Sequence, residues 1–116
     1  EIAEENIRFL SQNLKSNHIN NYILYQGLSE KLTQQVLKEK IDALIVDPPR
    51  KGIGKDVCEI LLKGRPRHIF YVSCDPVTLA RDLKILLQKY NLAGISGYDF
   101  FPHTPHIETF CVLDRK

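Results

Sequence analysis

Two apolar runs, IDALIVD and HIFYV, constrain the fold most, because each is continuous rather than alternating and each stops at a proline-bearing loop. Apolar side chains on both faces of a strand read as the interior of a sheet covered on both sides. The first run ends in DPPRKGIG and the second in SCDP, and consecutive prolines cannot prolong a ladder because they lack N–H donors. Helical periods lie between these runs. Ile7, Leu10 and Leu14 predict a helix over about residues 3–15, and Leu32, Val36 and Leu37 a second over 29–39, with Ser29 as its cap. Val57, Cys58, Leu61 and Leu62 mark a third over 55–62, and a fourth is expected over 78–90. NYILYQG reads as a short strand between the first two helices. Such alternation predicts an α/β fold, a parallel sheet with crossover helices. The tail departs from it: ISGYDFF and ETFCVLD are separated only by PHTPHI, too short for a crossover helix, and predict an antiparallel hairpin at the sheet edge.

Ligands of open α/β sheets gather beyond the carboxyl ends of the strands. Asp47 and Cys74 both stand there, each directly after a strand-like run. The hairpin loop brings His103, His106 and Glu108 to the same rim if its first strand runs parallel to its neighbours. Taken singly, each has a plain structural explanation: a cysteine is more often packing than chemistry, and an aspartate before proline is often a turn former. Cys58 and Cys111 fall within apolar patterns and are expected in the core. Two histidines three residues apart in a proline-containing loop, with no cysteine pair nearby, do not make a zinc site, and no metal is expected.

Composition excludes some classes. Sixteen Lys and Arg against fourteen Asp and Glu give a net charge of +2 over 116 residues, so any basic surface is local. Three cysteines at irregular spacing argue against a disulfide framework and fit a reducing compartment. No segment reaches the roughly 18–20 apolar residues of a membrane helix. The chain is therefore expected to be soluble, cytoplasmic and free of membrane contact. It has no methionine, and its first residues already read as the inside of a domain, so it is expected to be part of a longer protein.

IVDPPRKG, SCDPVTLARD and FPHTPHIETFCVL, together with EIAEENIRFLSQNLKSN at the start, resemble successive motifs of the S-adenosylmethionine-dependent RNA uracil-C5 methyltransferases. These enzymes make 5-methyluridine in ribosomal or transfer RNA. The resemblance implies an incomplete Rossmann-like methyltransferase sheet, mostly parallel with a C-terminal antiparallel hairpin. It implies Cys74 as the nucleophile that adds to uracil C6 and Glu108 as the base that removes the C5 proton. Asp47 would lie beside S-adenosylmethionine and Glu1 would bind its ribose. Pro48 and Pro49 would shape the floor between cofactor and base, Arg50 and Lys51 would contact RNA or orient it, and Arg81 and Asp82 would brace the active loop by hydrogen bonds.

The chain also departs from that family. The complete sheet has the order 3-2-1-4-5-7-6, and this sequence would begin at the end of strand two, without the first strand and the glycine-rich turn that lets a backbone approach the cofactor. Leu28 stands where relatives often carry an acidic or amide residue. The chain is accordingly expected to be the C-terminal part of a methyltransferase catalytic domain, inactive alone. Its strand edges are expected either to pair NYILYQG beside IDALIVD or to drive self-association. Two other readings stay open. An amino-group methyltransferase of nucleic acid also uses a D-P-P rim, but with an aromatic where Arg50 stands; a non-catalytic α/β binding module would leave Cys74 and Glu108 structural.

Overall fold

The computed structural model describes residues 2–116; Glu1 lies outside the described residues, and with it the ribose assignment. Eight elements follow one another: α1 (Glu4–Ser16), α2 (Ser29–Val36), β1 (Ala43–Val46), α3 (Gly54–Gly64), β2 (His68–Ser73), α4 (Pro76–Leu86), β3 (Tyr90–Tyr98) and β4 (Glu108–Arg115). The strands form one sheet in the order β1-β2-β4-β3. β1 and β2 are parallel, whereas β4 is antiparallel to both β2 and β3. Three strands therefore run one way and β4 alone runs back, the order expected of the 4-5-7-6 part of the family sheet. The hairpin forms, and its second strand, not its first, is the one inserted beside β2.

Helices α3 and α4 pack on one face of the sheet. Leu61, Leu79 and Leu86 meet Ile69, Tyr71 and Leu113 there, all essentially removed from water. Cys58 and Cys111 are buried free thiols in this core, as their apolar surroundings suggested. Strict alternation in β2 and β4 sends Ile69, Tyr71 and Ser73, with Thr109, Cys111 and Leu113, to the helices; Phe70 and Phe110 stack on the opposite face at 6.2 Å.

Two expectations about strands need correction. NYILYQG is not a strand: residues 22–26 carry no ladder, because no neighbouring strand among the described residues offers the backbone partners that an extended segment requires. It neither pairs beside β1 nor joins the sheet. β1 itself is not buried on both faces, since Leu44 and Val46 are half-buried toward α3 while Ile45 is 71% exposed. It is an edge of the sheet as described, with β2 as its neighbour. The fourth helix also begins and ends earlier than its periodicity indicated. Asp75 caps it by accepting hydrogen bonds from the Val77 and Thr78 amides, and Pro76 supplies the fixed φ of a first helical residue. Beyond Leu86 the chain turns and Tyr90 already belongs to β3, its hydroxyl donating to the Pro66 carbonyl at 2.9 Å.

Candidate active site

Three loops meet at the carboxyl end of the parallel strands: residues 47–53 after β1, Cys74 and Asp75 after β2, and residues 99–107 between β3 and β4. The register of β2 against β4 ends with Ser73 opposite Thr109. One step further, Cys74 stands opposite Glu108. Cys74 lies in the bend just past β2 and Glu108 at the start of β4; both line one cleft with Val72 and Phe110 of the face away from α3 and α4, and each is half-buried. Across the next ladder Glu108 is paired with Tyr98. Cys74, Glu108 and Tyr98 thus form one cross-strand row, with neighbouring strands about 4.8 Å apart. A cleft of about 660 Å³ opens over this row, lined also by Asp47, Val72, Phe100, Phe101, Thr109 and Phe110.

Asp47 has a second role in the geometry. It lines a further cleft of about 420 Å³, on the side of Gly27, Leu28, Ser29, Glu30, Val46, Pro48, Pro49 and Ile53. The Asp-Pro-Pro segment is therefore the partition between two adjoining cavities, one holding the thiol and the glutamate and the other facing the N-terminus of α2. Leu28 lines the second cavity with an apolar side chain where an acid or amide was noted as more usual.

What fixes the loops is a set of hydrogen bonds from one face of α4. Thr78 Oγ1 donates to the Arg50 carbonyl at 2.8 Å, and Arg81 Nη2 donates to the Lys51 carbonyl at 2.7 Å. Asp82, with no exposed surface, accepts from the Ile53 amide at 2.9 Å and from the Tyr71 hydroxyl at 2.8 Å through Oδ2; its Oδ1 accepts from Arg81 Nε and Nη2. Thr78, Arg81 and Asp82 are spaced three and four residues apart, so one helix face presents them together. Gly52, at φ +73°, leaves no room for a Cβ against the Asp82 carboxylate and the Arg81 guanidinium, so a side chain there would force this clasp apart.

The buried carboxylate also marks its neighbours electrostatically. Burial, and secondarily the Asp82 charge, pushes the Cys58 thiol up to about 12. Burial first and the hydrogen bond to Asp82 second raise the Tyr71 hydroxyl well above its ordinary value. The hydrogen bond to Asp82 raises Arg81. All three stay in their protonated forms, which lets Tyr71 and Arg81 act as donors to Asp82 at neutral pH.

The two histidines separate. His106 receives a hydrogen bond at its Nε2 from Arg50 Nη2 at 3.2 Å; the guanidinium has only donors, so this ring nitrogen carries no proton. The contact joins the loop after β1 to the loop between β3 and β4. His103 is exposed, and among the described residues no group of three or more His, Cys, Asp or Glu is arranged to hold a metal ion.

Asp47, Cys74 and Glu108 are thus gathered as their positions at strand ends implied, and the brace expected of Arg81 and Asp82 is present. The sequence reading missed Tyr71 as a partner of that brace, the Arg50–His106 link, and the aromatic lining of Tyr98, Phe100 and Phe110. The α4 contacts were open to discovery from the spacing of Thr78, Arg81 and Asp82. The aromatic row was not, since it depends on hairpin register.

Comparison with known proteins agrees with this arrangement. The family model tRNA (uracil-5-)-methyltransferase matches residues 1–116. An uncharacterized RNA methyltransferase of Bacteroides thetaiotaomicron is 38% identical over 119 residues, covering 100% of this chain and 26% of its own length. One from Protochlamydia amoebophila is 40% identical over 118 residues, covering 99% and 27%. The chain thus spans about a quarter of the length of these curated relatives. The crystal structure of Pyrococcus abyssi tRNA (uracil-54, C5)-methyltransferase in complex with S-adenosyl-L-homocysteine aligns at a TM-score of 0.83 and 34% identity, over 97% of this chain and 27% of that one. With residues 1–116 matched by the family model and 97% of the chain matched in fold, the chain belongs to the tRNA (uracil-5-)-methyltransferase family.

Proposed function

We propose that the full-length protein methylates C5 of a uridine in ribosomal or transfer RNA, with S-adenosylmethionine as donor and Cys74 as covalent catalyst. The observation that carries this reading is the meeting of Cys74 and Glu108 in one cleft, each one residue beyond the last pair between β2 and β4. Uracil C5 is a poor nucleophile. Addition of the Cys74 sulfur to C6 moves the ring electrons toward C5 and O4, and the resulting enolate is nucleophilic at C5. Once C5 has gained the methyl group, Glu108 takes the proton from C5; the electron pair restores the C5–C6 double bond and the sulfur leaves. A thiolate suits both ends of this sequence, since it adds readily and is a good leaving group.

The smaller cleft fits the donor. Its volume lies in the range of small-molecule sites, and its lining combines apolar Leu28, Val46 and Ile53 with the carboxylates of Glu30 and Asp47 and the hydroxyls of Ser29 and Thr33. Asp47 and the residues around Leu28 would hold the cofactor, and Pro48 and Pro49 would separate it from the base. When bound, S-adenosylmethionine supplies an electrophilic methyl group on a sulfonium. Asp47, lining both cavities, is suited to orient that positive centre. Pre-organisation of the partition by Thr78, Arg81 and Asp82 then keeps the reacting centres in line without movement of the backbone.

The test is a trap. In RNA substituted with 5-fluorouridine, C5 carries no removable proton, so a Cys74 adduct persists and migrates as a protein–RNA complex under denaturing conditions. The full-length protein is expected to form it only with S-adenosylmethionine present, and Cys74→Ala is expected not to. An adduct of equal yield in Cys74→Ala would end this reading.

A further inference from the structure

The cross-strand row does not stop at the glutamate. Tyr98 is the register partner of Glu108 on β3, and its ring lies parallel to that of Phe100, with centroids 5.7 Å apart and planes 7° apart. Both rings are open to water, Tyr98 44% and Phe100 65% exposed. They line the same cleft as Cys74 and Glu108. Two stacked aromatics left in water beside a cleft are costly to solvate and offer flat π faces. Tyr98 ends β3, the edge of the sheet farthest from β1, and Phe100 lies two residues on in the loop, so a strand added at the free edge of β1 would leave both uncovered.

We propose that Tyr98 and Phe100 form a stacking platform for a second nucleobase, that of a nucleotide flanking the target uridine. The proposal rests on the reading above for the choice of RNA as the occupant of the cleft. A uracil held between Cys74 and Glu108 lies beside the aromatic pair, which the end of the next strand and the loop after it carry. Its ligand is therefore a neighbouring base of the same single-stranded or unstacked segment. Stacking needs only a π face and tolerates any base, which suits a platform whose polar group is one tyrosine hydroxyl. Arg50, in the loop after β1 and held to His106 of the loop that follows Phe100, offers a cation for the connecting backbone.

The probe is bulk RNA from cells that lack the gene for this protein, used with the full-length enzyme. Methyl incorporation gives KM and kcat, and filter retention gives Kd. For Tyr98→Ala with Phe100→Ala, KM and Kd are expected to rise about tenfold or more, the effect of losing a base–aromatic stack, with the loss falling on KM and not on kcat. Tyr98→Phe and Phe100→Tyr, which keep the π faces, are expected to retain wild-type affinity. Unchanged KM and Kd in the double alanine variant, with methylation intact, would overturn the platform and leave the enzyme reading standing. So would a change in self-association of the protein without a change in RNA affinity, which would assign the pair to a second copy of the chain. If the wild type binds RNA through the aromatics yet neither methylates it nor forms the Cys74 adduct, the platform stands and the reaction is wrong. Failure of the wild type to bind RNA overturns both.

Discussion

Asp82→Asn tests the brace under the candidate site with almost no change of shape. The carboxylate accepts four hydrogen bonds, two on each oxygen, and has no exposed surface. An asparagine has one acceptor oxygen. If that oxygen faces the Ile53 amide and the Tyr71 hydroxyl, the amide hydrogens meet the donors of Arg81, and the guanidinium is released. If the amide is turned over, the Ile53 N–H keeps only its longer contact to the Tyr71 hydroxyl oxygen, at 3.2 Å. An unpaired buried donor costs about 1–3 kcal/mol, and a hydrogen bond to a charged group contributes about 1.5–3. Arg81 is half-exposed, so its share is small, and removing the charge relieves some desolvation. The expected loss is about 2–3 kcal/mol, read as a lower urea midpoint at unchanged slope. Tyr71→Phe removes one of the donors, so its effect combined with Asp82→Asn should fall short of the sum of the two singles. A loss under about 0.5 kcal/mol, within the range of ordinary surface substitutions, or strict additivity of the pair, would refute the reasoning.

Further predictions concern chemistry, titration and association. Glu108→Gln should still add Cys74 to the uridine and accept methyl but release product slowly, so a Cys74 adduct to ordinary methylated RNA should accumulate; wild-type turnover with no adduct would remove the base assignment. Cys58 is raised from its ordinary 9.0 to about 12, chiefly by burial and next by Asp82, so its contribution to stability is fully present below about pH 9 and is lost as pH rises toward 12. Stability should therefore fall across that window and fall less in Cys58→Ala, as followed by denaturation at stepped pH; Tyr71, shifted the same way, leaves a residual slope. Thiol labelling of the native chain at pH 8 should reach half-buried Cys74 well before Cys58 or Cys111, which mass spectrometry of the labelled peptides will report. The isolated 116-residue chain should self-associate through the free edge of β1, and Ile45→Lys, placing a charge on its exposed face, should shift sedimentation toward monomer.

Helices and the main strands were legible in the sequence because each has a local cause, periodic apolar residues in the helices and prolines closing β1; the Asp75 cap and Pro76 that open α4 were a local signal left unread. NYILYQG shows the limit of that logic. Its composition suits a strand, but a strand exists only in a ladder, and the sheet of the described residues does not include it. The exposed face of Ile45 has the same origin, since its apolar run is written for a sheet more fully covered than this one. At the site, Asp47, Cys74 and Glu108 were legible because strand ends can be read directly. Tyr98 was not. Its place opposite Glu108 depends on how the nine residues between them fold back, and a shift of one would have sent the ring to the other face.

The register that sets Cys74 opposite Glu108 also bears on how such a chain can diverge. The spacing of Cys74 from Glu108 is counted in residues along β2 and β4, not adjusted by a flexible loop. Lengthening the turn after Phe101 leaves that count untouched, whereas inserting a single residue between Thr109 and Val112 turns Glu108 toward the helices while much of the ladder can re-form. Variation in length should therefore be tolerated in the turn and excluded from the first half of β4, and a one-residue insertion there should yield a protein that folds but has lost its chemistry.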